Sequence, residues 1–199
     1  MVQEAGEGVI DVRDPSDELD RLAERLIPGR NRAEVISRMD ALFAGGVAPD
    51  PPPSGFHTGR LLATSTWGPW DGVVMRVAQV WMPWLGKTFS PSTATGLNRF
   101  TPTTATRVWL RALFPRHQPE VNTAAGRLEA FPFRTCVGSG KLDRDVSVLK
   151  IDYDFEVNPT LIRHILDELL QIAPRRYMGK VLFRSGTRYY RIGFFSLGA

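Results

Sequence analysis

The sequence predicts an α+β protein, a mostly antiparallel β-barrel with covering helices and an N-terminal helical arm. Three observations carry that expectation. From residue 55 onward strand-like segments dominate, joined by hairpins and helical excursions without a regular βαβ rhythm. The final segment, "YMGKVLFRSGTRYYRIGFFSL", is apolar on both faces: Tyr190, Ile192 and Phe194 alternate with Tyr189 and Phe195. A sheet with one wet face would show polar residues on one of those sets. Finally, "GGVAPDPPPSG" places consecutive prolines between two helical patterns and the remaining chain. Such a run neither continues a helix nor sits inside a sheet. The expected units are therefore 1–54, a helical arm with a Pro-rich linker, and 55–199, a barrel-like domain with two helical insertions.

In chain order, "DPSDELDRLAERLIPG" has acids in its first turn, Leu19, Leu22, Ala23 and Leu26 on one face, and Pro28-Gly29 as a stop. "NRAEVISRMDALFAGG" follows, with Asn31 and Glu34 at capping-box spacing and an apolar stripe of Val35, Ile36, Met39, Leu42 and Phe43. "HTGRLLATST" reads as a strand. "DGVVMRVAQVWMPWLGK" reads as a helix from Asp71 to Gly86 that is apolar nearly all round, as expected of a helix that is buried, at an interface or over a pocket. "ATRVWLRALF", "GRLEAFPFRTCV" and "DVSVLKIDYDF" read as strands, with Pro132 marking an edge or a bulge. "NPTLIRHILDELLQIAP" reads as a helix capped by Asn158, started by Pro159, and burying Ile162, Ile165, Leu166 and Leu169. The chain closes on a β-hairpin around Ser185-Gly186-Thr187.

Composition excludes several function classes. The 199 residues are 43% hydrophobic and 23% charged, ordinary for one globular domain with a sizeable core. The net charge is +4, with 21 Arg and 4 Lys scattered and no basic block, so a nucleic-acid partner is not expected. One cysteine, Cys136, precludes an internal disulfide and a thiolate metal cluster. His57, His117 and His164 are too dispersed for a zinc motif, and no metal or cofactor is expected. No apolar run reaches the roughly 18 residues that span a bilayer. The acidic start "MVQEAGEGVIDVRD" lacks an apolar leader core, so the expected location is cytoplasmic. GxGxxG, Walker and G-x-S-x-G motifs are absent from the sequence.

The chemistry-bearing stretch is "VLKIDYDFEVNP". Strand alternation puts Lys150, Asp152 and Asp154 on one face and Leu149, Ile151, Tyr153 and Phe155 on the other. Outward-facing acids would form a charge ladder with Arg184 or Arg191; an inward carboxyl would be desolvated and suited to general acid or base work. Asp152, Asp154, Tyr153 and His57, which opens the first barrel strand, are the catalytic candidates. Trp67, Trp70, Trp81 and Trp84, with Tyr190 and Phe194 of the hairpin, are the ligand-binding candidates. His164 and Glu168 stand at i,i+4 spacing, that of a solvated helical pair.

At "GFHTGRLLATSTWGPWDG" the chain resembles the GXWXG-type domain proteins, small bacterial proteins of largely unassigned function. Gly55, Gly59, Asp71 and Gly72 fit their layout, "PWLGKTF" is similar to the segment after their helix, and the ending is similar to their last strands. His57 stands where that family has Trp. Through this likeness the chain also looks distantly like lipocalin (calycin-like) and nitrobindin barrels. The resemblance implies an interior that takes lipids, small apolar molecules or haem, the last needing an axial ligand for which only His57 is placed.

The functional expectation is binding of a small, largely hydrophobic, lipid-like or polyketide-like molecule in a barrel cavity. The alternative is a cofactor-free cyclase or isomerase holding a hydrophobic substrate by proximity. An interaction module using the helical arm is a third class, and a homodimer is a further expected assembly.

Overall fold

The structure, a computed structural model, describes residues 14–24, 32–64, 83–116, 120–122 and 126–198. The elements are α1 (Pro15–Glu24), α2 (Arg32–Ala44), β1 (Gly55–Thr64), β2 (Trp84–Ser90), β3 (Thr95–Phe100), α3 (Thr104–Leu113), β4 (Glu120–Asn122), β5 (Arg127–Ser139), β6 (Ser147–Asp152), α4 (Thr160–Arg163), β7 (Ile165–Ala173), β8 (Arg176–Ser185) and β9 (Arg188–Gly198). The strands form one antiparallel sheet in the order β3-β2-β1-β9-β8-β7-β6-β5-β4, and a β3–β5 pairing closes it. Eight strands make the barrel among the described residues, and short β4 flanks the start of β5. The expected fold class holds.

Closure depends on a bend in β5. Phe131 takes a φ of 56°, a left-handed conformation costly for an aromatic residue, and Pro132 follows it. The β3–β5 register slips at the same place, between Gly96 and Asn98. The bulge expected from Pro132 is therefore a corner in β5: β4 pairs only before it, β6 only after it, and β3 on both sides with the shifted register.

Two apolar layers cover the two faces of the wall. Inside lie Phe89, Phe133, Leu149, Ile151, Val181 and Phe195 among others. Outside, Leu19 and Leu22 of α1 and Val35, Met39 and Phe43 of α2 pack on Leu62, Val148, Leu170, Met178 and Phe194. The two-sided hydrophobicity of the last hairpin has this cause: Ile192 and Phe195 point inward, Phe194 outward under the helices. Ion pairs pin the helices at their rim. Arg176 donates to both carboxylate oxygens of Asp20 at 2.9 Å, and Asp40 binds Lys180 at 2.9 Å and also Arg191. The hairpin turn is Gly186-Thr187, with Gly186 at φ 59°.

Two expected elements are corrected, and the end of a third. The segment read as a helix over 158–174 is a single turn, α4, followed by strand β7. Ile162, Ile165, Leu166 and Leu169 do lie at helical spacing, but β7 is a central strand paired to β6 and β8 and buried on both faces, so both sets of side chains are apolar or paired. Periodicity cannot separate those cases. The solvated His164–Glu168 pair fails with it: His164 stacks obliquely near Phe183, and Glu168 lies buried in the outer wall. Conversely, "ATRVWLRALF" is helix α3. Thr103 caps it by accepting the Thr106 N–H at 3.1 Å, and Thr106, Leu110 and Leu113 repeat at helical intervals toward the core. The helix expected over 71–86 lies largely outside the described residues, but its expected end, Trp84 to Gly86, opens strand β2.

Asn158 is not a helix cap. Its Nδ2 donates to the carbonyls of Pro132 and Tyr153, each at 2.8 Å, tying the loop after β6 to the β5 corner. Asn158→Ala removes both bonds, although the Tyr153 carbonyl keeps the Phe155 N–H at 2.7 Å, and is expected to cost about 2 kcal/mol. Asp152→Asn, which loosens only a partly exposed contact to Arg134 at 3.7 Å, is expected to cost at most about 1 kcal/mol. Urea melts rank the two; equal costs would show that the Asn158 tie does not hold the corner.

Candidate functional site

The candidate site sits in the middle of the barrel. β2 and β7 are diametrically opposed: β1, β9 and β8 separate them on one side and β3, β5 and β6 on the other. Strand alternation points Lys87 of β2 and Asp167 of β7 inward, and they meet with Lys87 Nζ 2.9 Å from Asp167 Oδ2. Both side chains are 0% exposed. Lys87 Nζ also donates to Asn98 Oδ1 at 3.0 Å and to the Tyr153 hydroxyl. Asn98 faces Lys87 directly across the β2–β3 ladder. Tyr153, just past β6, donates its hydroxyl to Asp167 Oδ2 at 3.0 Å. The indole N–H of Trp84 donates to Asn98 Oδ1 at 3.1 Å, and Asn98 Nδ2 donates to the Phe131 carbonyl at 3.2 Å, so the β5 corner fixes the amide's orientation.

The surroundings of this cluster are apolar. The Lys87 ammonium lies 5.0–5.4 Å from the ring centroids of Trp84, Phe133, Tyr153 and Phe195, close enough for cation–π attraction. Burial pushes the Lys87 amine below its ordinary range, and the Asp167 charge opposes that. Burial likewise pushes the Asp167 carboxyl up, against the pull of Lys87 and of the Tyr153 hydroxyl. The Tyr153 phenol is pushed well up by burial and then by the Asp167 charge, so it remains a protonated donor. Asp167 Oδ1 is buried without a hydrogen-bond partner among the described residues.

A cavity of about 10 Å³ adjoins the cluster. Asn98 and Tyr153 form its polar side, and Trp84, Phe100, Phe131, Ile162 and Ile165 form the rest. That volume suits about one water molecule. Trp84 reaches this position because Gly59 of β1 lies beneath its indole, where a Cβ would meet the ring at 2.3 Å. Gly59 is one of the glycines that carry the GXWXG resemblance.

The structure distributes the sequence-derived candidates widely. Asp152 and Asp154 face outward: Asp152 lies near Arg134, while Asp154 binds Arg163 at 2.8 Å and Arg184 at 3.3 Å. The Arg163 guanidinium holds the Asp154 carboxyl below the usual range. Tyr153 points inward to the cluster. His57 is buried, with Nε2 3.2 Å from the Ser54 carbonyl and its ring edge-on to Phe89 and Tyr177. Trp84 lines the cavity, Phe194 lies on the outer face under α2, and Tyr190 borders a groove on the outside of the barrel. Trp67, Trp70 and Trp81 lie outside the described residues. Lys87, Asn98 and Asp167 escaped sequence reasoning. Lys87 closes the stretch that reads as a helix ending at Gly86, and Asp167 falls in a segment that reads as a helix and is strand β7.

No family model matches the chain, and no curated protein matches it. Among solved structures, the crystal structure of a protein from Thermomonospora curvata matches with a TM-score of 0.49 at 16% identity, covering 92% of this chain and 97% of that one. No helix among the described residues is long and apolar enough to cross a membrane.

The buried pair is expected to be costly to break and cheap to replace. Lys87→Met alone leaves Asp167 charged in the core and should destabilise by about 3–5 kcal/mol, whereas Lys87→Met with Asp167→Leu should recover most of that loss. Urea melts of the singles and the double form the cycle; purely additive losses would contradict the pairing. His57 supplies a pH-dependent expectation. Burial lowers its pKa from 6.5, so the unfolded chain takes up the proton first as pH falls. The His57 contribution is therefore complete above 6.5 and is lost as pH falls from there toward the lowered folded value. Between about pH 7.5 and about pH 5 the wild type should lose more stability than His57→Phe. Parallel urea midpoints check this; identical losses would show that His57 does not titrate between the two states.

Proposed function

We propose that the barrel interior binds a compact, largely apolar molecule carrying one oxygen function, received at the Trp84 end by Tyr153 and Asn98. The observation that carries this reading is the junction of an apolar-walled cavity with a fixed set of buried donors and a charged pair. Ligand sites combine such walls with a few oriented polar groups. A buried ion pair contributes little to stability compared with an apolar replacement, so its retention favours a role in recognition or chemistry. The cavity as it stands admits about one water, so a ligand enters by displacing Ile162 and Ile165 side chains, the first of them on the single-turn helix α4.

A second reading, proton abstraction next to a carbonyl as in a cofactor-free isomerase or cyclase, is favoured by the unpartnered Asp167 Oδ1. The C–H proton would pass to the Asp167 carboxylate, and the developing enolate oxygen would accept a hydrogen bond from the Tyr153 hydroxyl.

The experiment is native mass spectrometry and calorimetric titration with a panel of compact ketones, lactones and short fatty acids. Saturable binding at one site is expected, weakened about tenfold by Tyr153→Phe, as for loss of one buried hydrogen bond. An absence of saturable binding, or equal binding by Tyr153→Phe, would sink the proposal. Deuterium uptake from solvent into a bound ketone, followed by NMR and lost in Asp167→Asn, would favour the second reading; its absence would reject that reading.

A further inference from the structure

The outer wall carries a second concavity that the interior cluster does not use. An open groove of about 750 Å³ runs between the β5–β6 loop and the β8–β9 hairpin. Four cations line it, Lys141, Arg144, Lys150 and Arg188, and no carboxylate does. Among the described residues none of the four makes an ion pair within 4.0 Å; the outer arginines of this face, Arg163 and Arg184, are taken by Asp154. Tyr189 adds an aromatic ring, with the Lys141 ammonium 5.2 Å from its centroid, and Ser139 and Thr187 add hydroxyls. A smaller pocket of about 140 Å³ continues the groove past Lys141, Lys150 and Tyr189 toward Arg163, Arg184 and the Asp152 carboxylate.

The groove has a fixed floor. The Lys141 backbone N–H donates to Glu168 Oε1 at 2.6 Å, and Asp143 of the same loop binds the buried Lys180 at 2.7 Å. Gly140 N–H closes the loop on the Val146 carbonyl at 2.9 Å. A Cβ at Gly140 would meet the Asp143 carbonyl oxygen at 2.7 Å, so the tight turn requires glycine. The loop that presents Lys141 and Arg144 is thus held by buried carboxylate and ammonium groups beneath it. Like charges gathered in a concavity repel one another and raise the local concentration of anions. A surface charge that served solubility alone would be better spread, as it is elsewhere on this chain.

We propose that this groove binds a small phosphorylated molecule bearing a planar ring, of the nucleoside-phosphate class. Phosphate oxygens accept charge-assisted hydrogen bonds from Lys150, Arg188 and the loop cations, and arginine grips them in bidentate fashion. The ring stacks against Tyr189 beside them. The volume is that of a small-ligand site, and no aliphatic side chain lines it, which suits neither a fatty chain nor a hydrocarbon. The sheet wall separates this groove from the Lys87–Asp167 cluster, so the two proposals stand or fall independently.

Calorimetric titration with AMP, ATP, pyrophosphate and inorganic phosphate at fixed low salt tests this. One saturable site is expected, with the nucleotides binding more tightly than inorganic phosphate. Lys150→Glu and Arg188→Glu should each weaken it at least about tenfold, the cost of one charge-assisted hydrogen bond. Arg107→Glu, on exposed helix α3 away from the groove, should change affinity little, and so should Tyr153→Phe inside the barrel. Circular dichroism establishes that the surface variants are folded. The proposal is overturned by any of three results: no saturable binding of the phosphates, equal weakening by Arg107→Glu, or binding to a single-stranded oligonucleotide or to anionic phosphatidylserine vesicles that outcompetes ATP for the groove.

Discussion

The ion pair between Lys87 and Asp167 crosses the full width of the barrel, and the interior is arranged around it. Two charges with no exposed surface carry a large desolvation cost, which close contact and further hydrogen bonds must offset. That requirement explains the company they keep. Asn98 and Tyr153 complete the ammonium's hydrogen bonding, four aromatic rings surround it, and Trp84 and the Phe131 carbonyl hold Asn98 in orientation. Satisfying these groups needs the correct register of β2 against β3 and the correct bend in β5. A one-residue slip in β2 would turn Lys87 out of the barrel and leave Asp167 alone in the core. The same filling leaves little free volume, so the site is small and polar at one wall rather than a large lipid-like chamber.

The outer face obeys a different constraint. The sheet is apolar on both sides, so a second layer must cover it. Helices α1 and α2 supply that layer, and their Asp20 and Asp40 meet arginines and a lysine at the margin. Lys180 joins the two halves of this face. Its ammonium lies 4.5 Å from the Phe43 ring centroid and binds Asp40 of α2 and Asp143 of the β5–β6 loop. The covering helices and the loop that forms the outer groove are therefore fastened by one buried side chain.

Much of the site was illegible in the sequence for a physical reason. In "VLKIDYDFEVNP" alternation correctly sorted Leu149, Ile151 and Tyr153 inward and Asp152 outward, because β6 has one apolar and one mostly polar face. In "ILDELLQIA" the same reasoning failed, because a central strand buried on both faces shows no alternation and its apolar residues can fall by chance at helical spacing. Asp167 and Glu168 then look like solvent-facing charges, although each finds its partner only on a distant strand or loop. Thr103 and the repeat of Thr106, Leu110 and Leu113 did carry a helix signal for α3; the β-branched and aromatic residues between them masked it.

The sequence by itself determined the class of fold: the alternation of its strands, the two-sided final hairpin, the bulge at Pro132 and the amphipathic N-terminal helices are local patterns, set by side-chain period and backbone stereochemistry. Only the tertiary structure decided the site. Barrel closure brings β2 and β7 face to face across an apolar interior, and the partners Lys87 and Asp167 stand eighty positions apart in the chain. Nothing local distinguishes a lysine or aspartate that will be buried and paired from one that will be solvated, because the energy that decides it belongs to the contact, and the contact exists only when the sheet has closed.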